Sequence, residues 1–194
     1  MKNSLEPAIL TTDRLRLEAL KTEDVGEIFL HYRDPILTQH LGLAPLESRE
    51  QAQKWVKDRL AHQAQGLSLV FTLKLRDSGQ MIGTCAVEGI DLTHHYATLG
   101  FSLSPYYWRQ GFMREALVRL MGYLFEPDAK HGLSCLQRLQ AWVRVENLAC
   151  IKLMNRLGFV QEGCLRKVFY WHGSYHNLYC FSLLREEQAA LSLA

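Results

Sequence analysis

The chain lacks any apolar run approaching the roughly 18 residues that mark a membrane-spanning helix, so no span is expected. Met1 to Leu10 carries one Lys and no long apolar stretch, which argues against a secretory leader. None of the five cysteines (Cys85, Cys135, Cys150, Cys164 and Cys180) forms a Cys-x-x-Cys pair. Their odd number favours reduced thiols in a cytoplasmic protein over a disulfide frame or a zinc site. The neighbours His94 and His95 have no further ligand at a helical or knuckle spacing, so no metal is expected. Lys and Arg are spread rather than massed, and the formal net charge is only +2. Neither nucleic acid nor a membrane is therefore an expected partner. There is no Gly-Lys-Ser/Thr to make a P-loop and no three-glycine dinucleotide fingerprint. No repeat, low-complexity tract or linker divides the chain. Its 194 residues, 48% hydrophobic and 22% charged, fit a single domain over 1–194 with a substantial core.

What is present centres on Leu99 to Phe125. Leu99–Leu103 reads as a strand, Ser104–Tyr107 as a loop, and Trp108-Arg109-Gln110-Gly111-Phe112-Met113 as the opening of a helix. Met113, Ala116, Leu117, Leu120, Met121 and Leu124 recur at spacings of three and four, one apolar stripe, and Pro127 stops the pattern. A strand that feeds a glycine-bearing turn into a helix N-terminus is an anion site, because the first turn carries unsatisfied N–H groups and the positive end of the macrodipole. Gly111 lets the backbone approach a bulky ligand, Arg109 and Arg114 add charge, and Gln110 adds amide donors. On spacing alone, a plain turn at Gly111 is equally acceptable.

The N-terminal part reads as a strand at Leu15–Glu18 and then a helix that Thr22 caps and Pro35 ends or bends. A second helix begins near Ser48, with Ala52, Trp55, Val56 and Leu60 as its stripe and Gly66 as its stop. The period then changes to two. Strands are expected over Leu67–Leu75, Gln80–Ile90 and Tyr96–Leu103, and a further one over Leu136–Val145 after the central helix. A helix over Leu148–Leu157 closes at Gly158. Phe159–Gly163, Val168–His172 and Leu178–Leu184 read as the last strands.

Three features together resemble the GNAT superfamily of acetyl-CoA-dependent N-acetyltransferases, over about residues 10 to 187. Trp108 to Ala116 looks like that family's pyrophosphate loop. Arg144-Val145-Glu146-Asn147, Ala149-Cys150-Ile151-Lys152 and Leu157-Gly158-Phe159-Val160-Gln161-Glu162-Gly163 are similar to a block of the branch that holds ribosomal-protein alanine N-acetyltransferases. Thr12–Leu17 and Tyr179–Glu186 resemble its first and last strands. The resemblance implies an α+β fold whose mixed, mostly antiparallel central sheet splays at a V-shaped gap between Leu99–Leu103 and Leu136–Val145. Acetyl-CoA would lie in that gap as co-substrate. Its pantetheine arm would meet main chain of Phe101, Ser102 and Leu103, and its pyrophosphate would sit over Arg109, Gln110, Gly111, Phe112, Met113 and Arg114. Asn147 and Lys152 complete the implied contacts. Tyr32, Trp55 and the loop Pro35–Pro45 would shape the acceptor cleft.

Departures from the family pattern matter. Arg109 stands where many relatives have Gly. Thr98 stands where the branch usually carries Glu, often proposed as the general base. Cys150 replaces Ser, and Asn177 replaces Asp. Candidate replacement bases are Glu88, Asp91 or a water held by Thr98. Cys150 near a helix start is the candidate donor to the leaving CoA thiolate, with a thiol lowered from about 8.5 by the helix end; a small packed residue is the alternative. Asn147 bonds the cofactor or caps the following helix. Tyr175 faces the reaction centre or packs in a strand, and Trp142 and Trp171 pack at the core or rim. Neutralising an α-amine at pH 7 costs about 1.4 kcal/mol and a lysine roughly 4.6. A protein N-terminus therefore tolerates the missing Glu better than lysine does. The expected activity is acetyl transfer to a primary amine by direct attack in a ternary complex, the acceptor being a protein N-terminus. A small amine (polyamine, amino sugar or amino acid) is the alternative, as is a non-catalytic CoA-binding module. The chain would act as a monomer or homodimer.

Overall fold

The computed structural model describes residues 5, 7–126 and 132–192; Pro127, the expected helix stop, lies outside them. Among the described residues the chain runs β1 (Leu10–Thr11), β2 (Leu15–Ala19), a 3-10 turn (Thr22–Asp24), α1 (Val25–Tyr32), α2 (Pro35–Thr38), α3 (Arg49–Ala64), β3 (Ser68–Leu75), β4 (Met81–Asp91) and β5 (Tyr96–Leu103). A second 3-10 turn (Pro105–Tyr107) leads to α4 (Phe112–Leu124), β6 (Arg138–Arg144), α5 (Leu148–Arg156), β7 (Val160–Trp171), β8 (Ser174–Leu184) and α6 (Arg185–Ser192). No described helix is long and apolar enough to cross a membrane.

One eight-stranded sheet has the order β1-β2-β3-β4-β5-β6-β8-β7. Every neighbouring pair is antiparallel except β5 and β6, which run parallel because α4 carries the chain across between them. Alternation along β5 splits its side chains between two cores. Ala97, Leu99 and Leu103 pack with the stripe of α4 (Met113, Ala116, Leu117, Leu120, Met121, Leu124). On the opposite face, Ile28 and Tyr32 of α1 pack with Ala52 and Val56 of α3 and Val70 of β3. Thus one face belongs to α4 and the other to α1 and α3.

Several boundaries differ from the sequence reading. Pro35 does not end a helix but starts α2 at its first position, with the Asp34 carboxylate accepting from Ile36 N at 2.8 Å. Thr22 does not cap α1; Asp24 reaches back to accept from Lys21 N at 2.8 Å. Ser48 does cap α3. The strands expected at Phe159–Gly163 and Val168–His172 are one strand, β7, whose register with β8 shifts between Gln161 and Gly163 and between Leu165 and Phe169. Those bulges break the period of two that would have joined them. The chain after Leu184 turns into α6 rather than continuing as a strand.

Candidate active site

Parallel pairing of β5 and β6 holds for only three residue pairs: Tyr96 with Arg138, Ala97 with Leu139, and Thr98 with Gln140. Beyond this vertex β6 pairs with β8 as far as Arg144 with Leu178, while β5 continues along β4. The sheet is therefore split between Leu99–Leu103 and Ala141–Arg144. The bond from Ser104 N to the Ile82 carbonyl sets the alternation of the β4–β5 ladder. It points the main chain of Phe101 and Leu103 away from β4 and into the split. The Leu103 carbonyl is occupied, accepting from the Trp108 indole N–H at 2.6 Å. The side chain of Ser102 points to the α1 face, where its hydroxyl lies 2.7 Å from His31 Nε2. Its main chain pairs with Thr84 of β4, so the expected contact of Ser102 with a ligand in the split is not available; Phe101 and Leu103 on either side of it supply that edge.

Residues beyond β5 fold tightly into the start of α4. Arg109 has φ of 62°, a conformation rare outside glycine, and this is how the loop accepts a side chain there. Gly111 is the N-cap of α4 with φ of 84° and brings no side chain to cap the first-turn amides of Phe112, Met113 and Arg114. The side chains of Phe112 and Met113 are buried, whereas Arg109, Gln110 and Arg114 are exposed. Gln110 Nε2 donates to the Tyr106 carbonyl at 2.8 Å. Arg14 braces the corner from the turn between β1 and β2: its Nη1 donates to the Gln110 carbonyl at 3.0 Å, its Nε to Glu115 Oε2 at 2.6 Å, and its guanidinium lies 4.1 Å over the Phe112 ring. A bare helix N-terminus at the mouth of a split sheet suits a diphosphate with an extended arm.

A polar row crosses the α1–α3 face at the level of the vertex. Gln140 Nε2 donates to Thr98 Oγ1 at 3.1 Å. On one side of this pair stands Glu88, the cross-strand partner of Thr98, and on the other stands Ser182, the partner of Gln140. Ser182 donates to Glu162 at 2.7 Å, and Arg138 grips both Glu162 oxygens at 2.7 and 2.5 Å. The hydrogen bonds from Arg138 and then Ser182 hold the Glu162 carboxyl down to about 2, so it is a poor proton acceptor. Among the described residues Glu88 is bound at one oxygen, Oε1, by Arg59 Nη1 at 2.7 Å. Its Oε2 stands 3.5 Å from where a Cβ on Gly100 would be.

Other expected site residues are placed less simply. Asn147 caps α5, accepting from Cys150 N at 3.1 Å. Cys150 packs half-buried against the α4 core, and burial pushes its thiol up to about 12. The expected lowering by the helix end is absent because loss of water outweighs it. Lys152 is exposed on α5. Tyr32 is buried, its hydroxyl 2.8 Å from Thr84 Oγ1 and its ring 5.1 Å from Trp55. It lies beneath the surface of the α1–α3 face, with Trp55 over it. Asp91 lies at the closed end of β5, opposite Tyr96, and is bound to His94 at 2.9 Å, away from the split. Tyr175 is 64% exposed near the tip of the β7–β8 hairpin against Tyr170. The sequence reading missed Arg14, Arg59 and Gln140. Arg59 lies four residues after Trp55 on one helical face, the signal that was available; the other two need the register of the sheet.

Residues 14–160 match the model of a family described as an acetyltransferase (GNAT) domain. The chain is 32% identical over 180 residues to an N-acetyltransferase of Bacillus licheniformis named p20, covering 93% of this chain and 98% of that one. Its fold superposes with a TM-score of 0.81 on an acetyltransferase of Salmonella typhimurium that modifies the N-terminal serine of ribosomal protein L7/L12. That pair is 22% identical, covering 91% of this chain and 99% of the other. A spermidine N-acetyltransferase of Vibrio cholerae, in complex with CoA and spermine, gives 0.78 at 21% identity, covering 92% and 99%. At such identities the two structures attest the fold alone.

Proposed function

This chain belongs to the GNAT acetyltransferase family as an acetyl-CoA-dependent N-acetyltransferase, and from that premise we propose that it acetylates the N-terminal amine of a protein. The observation that carries the reading is the end of β5–β6 pairing at Thr98 and Gln140, beside the uncapped start of α4. The first-turn amides and Arg114 receive the pyrophosphate, and the main chain of Phe101 and Leu103 receives the pantetheine arm as an added strand would be received. The thioester then lies toward the vertex, where Thr98, Gln140 and Glu88 meet.

The amine nitrogen attacks the thioester carbonyl carbon, a C–N bond forms, and the C–S bond breaks. The nitrogen's proton passes to Glu88 Oε2, directly or through a water on Thr98. The CoA sulfur leaves with the bond's electron pair and takes up a proton, with the Cys150 S–H as hydrogen-bond donor. A thiol held near 12 is a donor that keeps its own proton, so that proton comes ultimately from water.

The acceptor follows from charge. Glu162 is locked by Arg138, and Glu88 shares its charge with Arg59. Arg59 offsets Glu88, and Arg144, 3.4 Å from Glu146, offsets that carboxylate, so these pairs supply no net negative charge to draw in a polycation. An α-amine, neutral at a cost of about 1.4 kcal/mol at pH 7, asks only for a modest base. The test is CoA release, with mass spectrometry of product, over peptides of varied first residue and over spermidine. Acetylation of peptide α-amines with spermidine inert is expected; spermidine turnover at the higher kcat/KM overturns the acceptor. Stabilisation by acetyl-CoA with no turnover of any amine overturns the catalytic reading.

A further inference from the structure

We infer that Arg59 is a positioning residue for acetyl transfer: it fixes one oxygen of Glu88 so that the other stands over Gly100 of β5, at the edge of the split in the sheet. The inference rests on Glu88 accepting the amine proton. Arg59 sits on α3, outside the sheet, and its Nη1 donates to Glu88 Oε1 at 2.7 Å. A carboxylate held at one oxygen keeps its second oxygen at a set direction. Here Oε2 lies 3.5 Å from the Cβ position of Gly100, two residues past the vertex. Gly100 carries no side chain, so no Cβ of that residue stands against the oxygen.

Arg59 is itself held in place. Its guanidinium lies 5.2 Å from the centre of the Trp55 ring, and that ring lies 5.1 Å from Tyr32. The Tyr32 hydroxyl joins Thr84 at 2.8 Å and Ser102 at 3.2 Å, on β4 and β5. A chain of contacts thus runs from the two strands through Tyr32, Trp55 and Arg59 back to Glu88 on β4. Burial and hydrogen bonding weaken along it. Tyr32 is 6% exposed, while the Arg59 and Glu88 side chains are 33% and 38% exposed. A pair exposed to that degree contributes little to folding, so its use is geometric. Trp55 and Arg59 share a helical face by their spacing of four, and α3 delivers both to the same place.

The test compares Arg59→Gln, Arg59→Lys, Glu88→Gln and the double variant Arg59→Gln with Glu88→Gln, measuring kcat, KM for acetyl-CoA and thermal unfolding. Arg59→Gln is expected to lower kcat about tenfold with KM for acetyl-CoA and the unfolding midpoint unchanged, and Arg59→Lys to restore part of the loss. In the Glu88→Gln background, Arg59→Gln is expected to remove nothing more, because it acts only through that carboxylate. If Glu88→Gln is slow but Arg59→Gln has full activity, or if the two losses multiply, the role of Arg59 is overturned while that of Glu88 stands. If Glu88→Gln turns over at the full rate, the reading of Glu88 fails first and the role of Arg59 falls with it.

Discussion

Gln140 donates its side-chain amide to the Thr98 hydroxyl at 3.1 Å, and these two are the last residues that pair across the parallel strands. Past them the strands part. The bond therefore marks the vertex of the split, and it fixes the Thr98 hydroxyl there. Thr98→Val keeps the shape and removes the hydroxyl. It is expected to lower kcat severalfold without changing acetyl-CoA affinity, as steady-state kinetics would check; an unchanged kcat would remove Thr98 and its water from the chemistry.

Gly111→Asp is expected to abolish measurable acetyl-CoA binding. Its φ of 84° costs a non-glycine residue about 1–2 kcal/mol. A Cβ there stands 3.4 Å from Arg14 Nη2, and the added carboxylate faces the pyrophosphate with like charge. Titration calorimetry gives the outcome directly, with Gly111→Ala as the control for strain alone.

Cys150→Ala is expected to reduce turnover more than acetyl-CoA affinity, with Cys150→Ser close to the parent. Burial holds the thiol near 12, so alkylation by iodoacetamide at pH 8 should be slow at this position compared with exposed Cys164. Peptide mass mapping after timed labelling measures both sites. Fast labelling of Cys150 would contradict the buried, protonated thiol.

His31 is expected to make the fold acid-sensitive. Its ring is buried beside Ser102, and desolvation lowers its pKa to about 4 from the ordinary 6.5, against a smaller opposing pull from Asp34. The unfolded chain therefore binds a proton that the folded chain refuses. Stability contributed above pH 6.5 is lost as pH falls toward 4, by about 3 kcal/mol in total from this one group. His31→Gln should flatten that part of the profile in urea unfolding measured between pH 7 and 4.

Gly42→Ala is expected to disturb the join between the α2–α3 loop and the β7–β8 hairpin. Gly42 has φ of 65°, and an added Cβ falls 2.5 Å from Phe169 Cζ. Arg144 Nη1, donating to the Gln39 carbonyl at 2.9 Å, ties the same loop to β6. If the acceptor binds on the α1–α3 face as proposed, KM for the acceptor should rise while KM for acetyl-CoA stays. Phe169→Ala in the same chain should recover part of the effect.

The α4 region was legible because its information is local: a strand, Trp108 to Met113 and a stripe at spacings of three and four define it without tertiary help. The same locality placed a helix start near Ser48 and offered capping as one of two readings of Asn147, and both residues cap their helices. β7 was not legible as one strand, because Lys167 at φ of 53° and two shifts of register interrupt its alternation. The thiol of Cys150 was misjudged because a helix start is visible in sequence and burial is not. Glu88 was one of several candidate bases in the sequence, and only the register shows that it stands opposite Thr98. Its separation from Asp91, and its bond to Arg59 across 29 positions, exist only in three dimensions.

The central claim is that amides opening α4 and main chain freed at the end of β5 hold acetyl-CoA. Hydrogen–deuterium exchange resolved to single residues, with and without acetyl-CoA, tests it most directly. Slowed exchange is predicted at Phe101, Leu103, Phe112, Met113 and Arg114, with the already paired Ala97 little changed. Tight binding of acetyl-CoA that left those five amides exchanging at their free rates would contradict the claim.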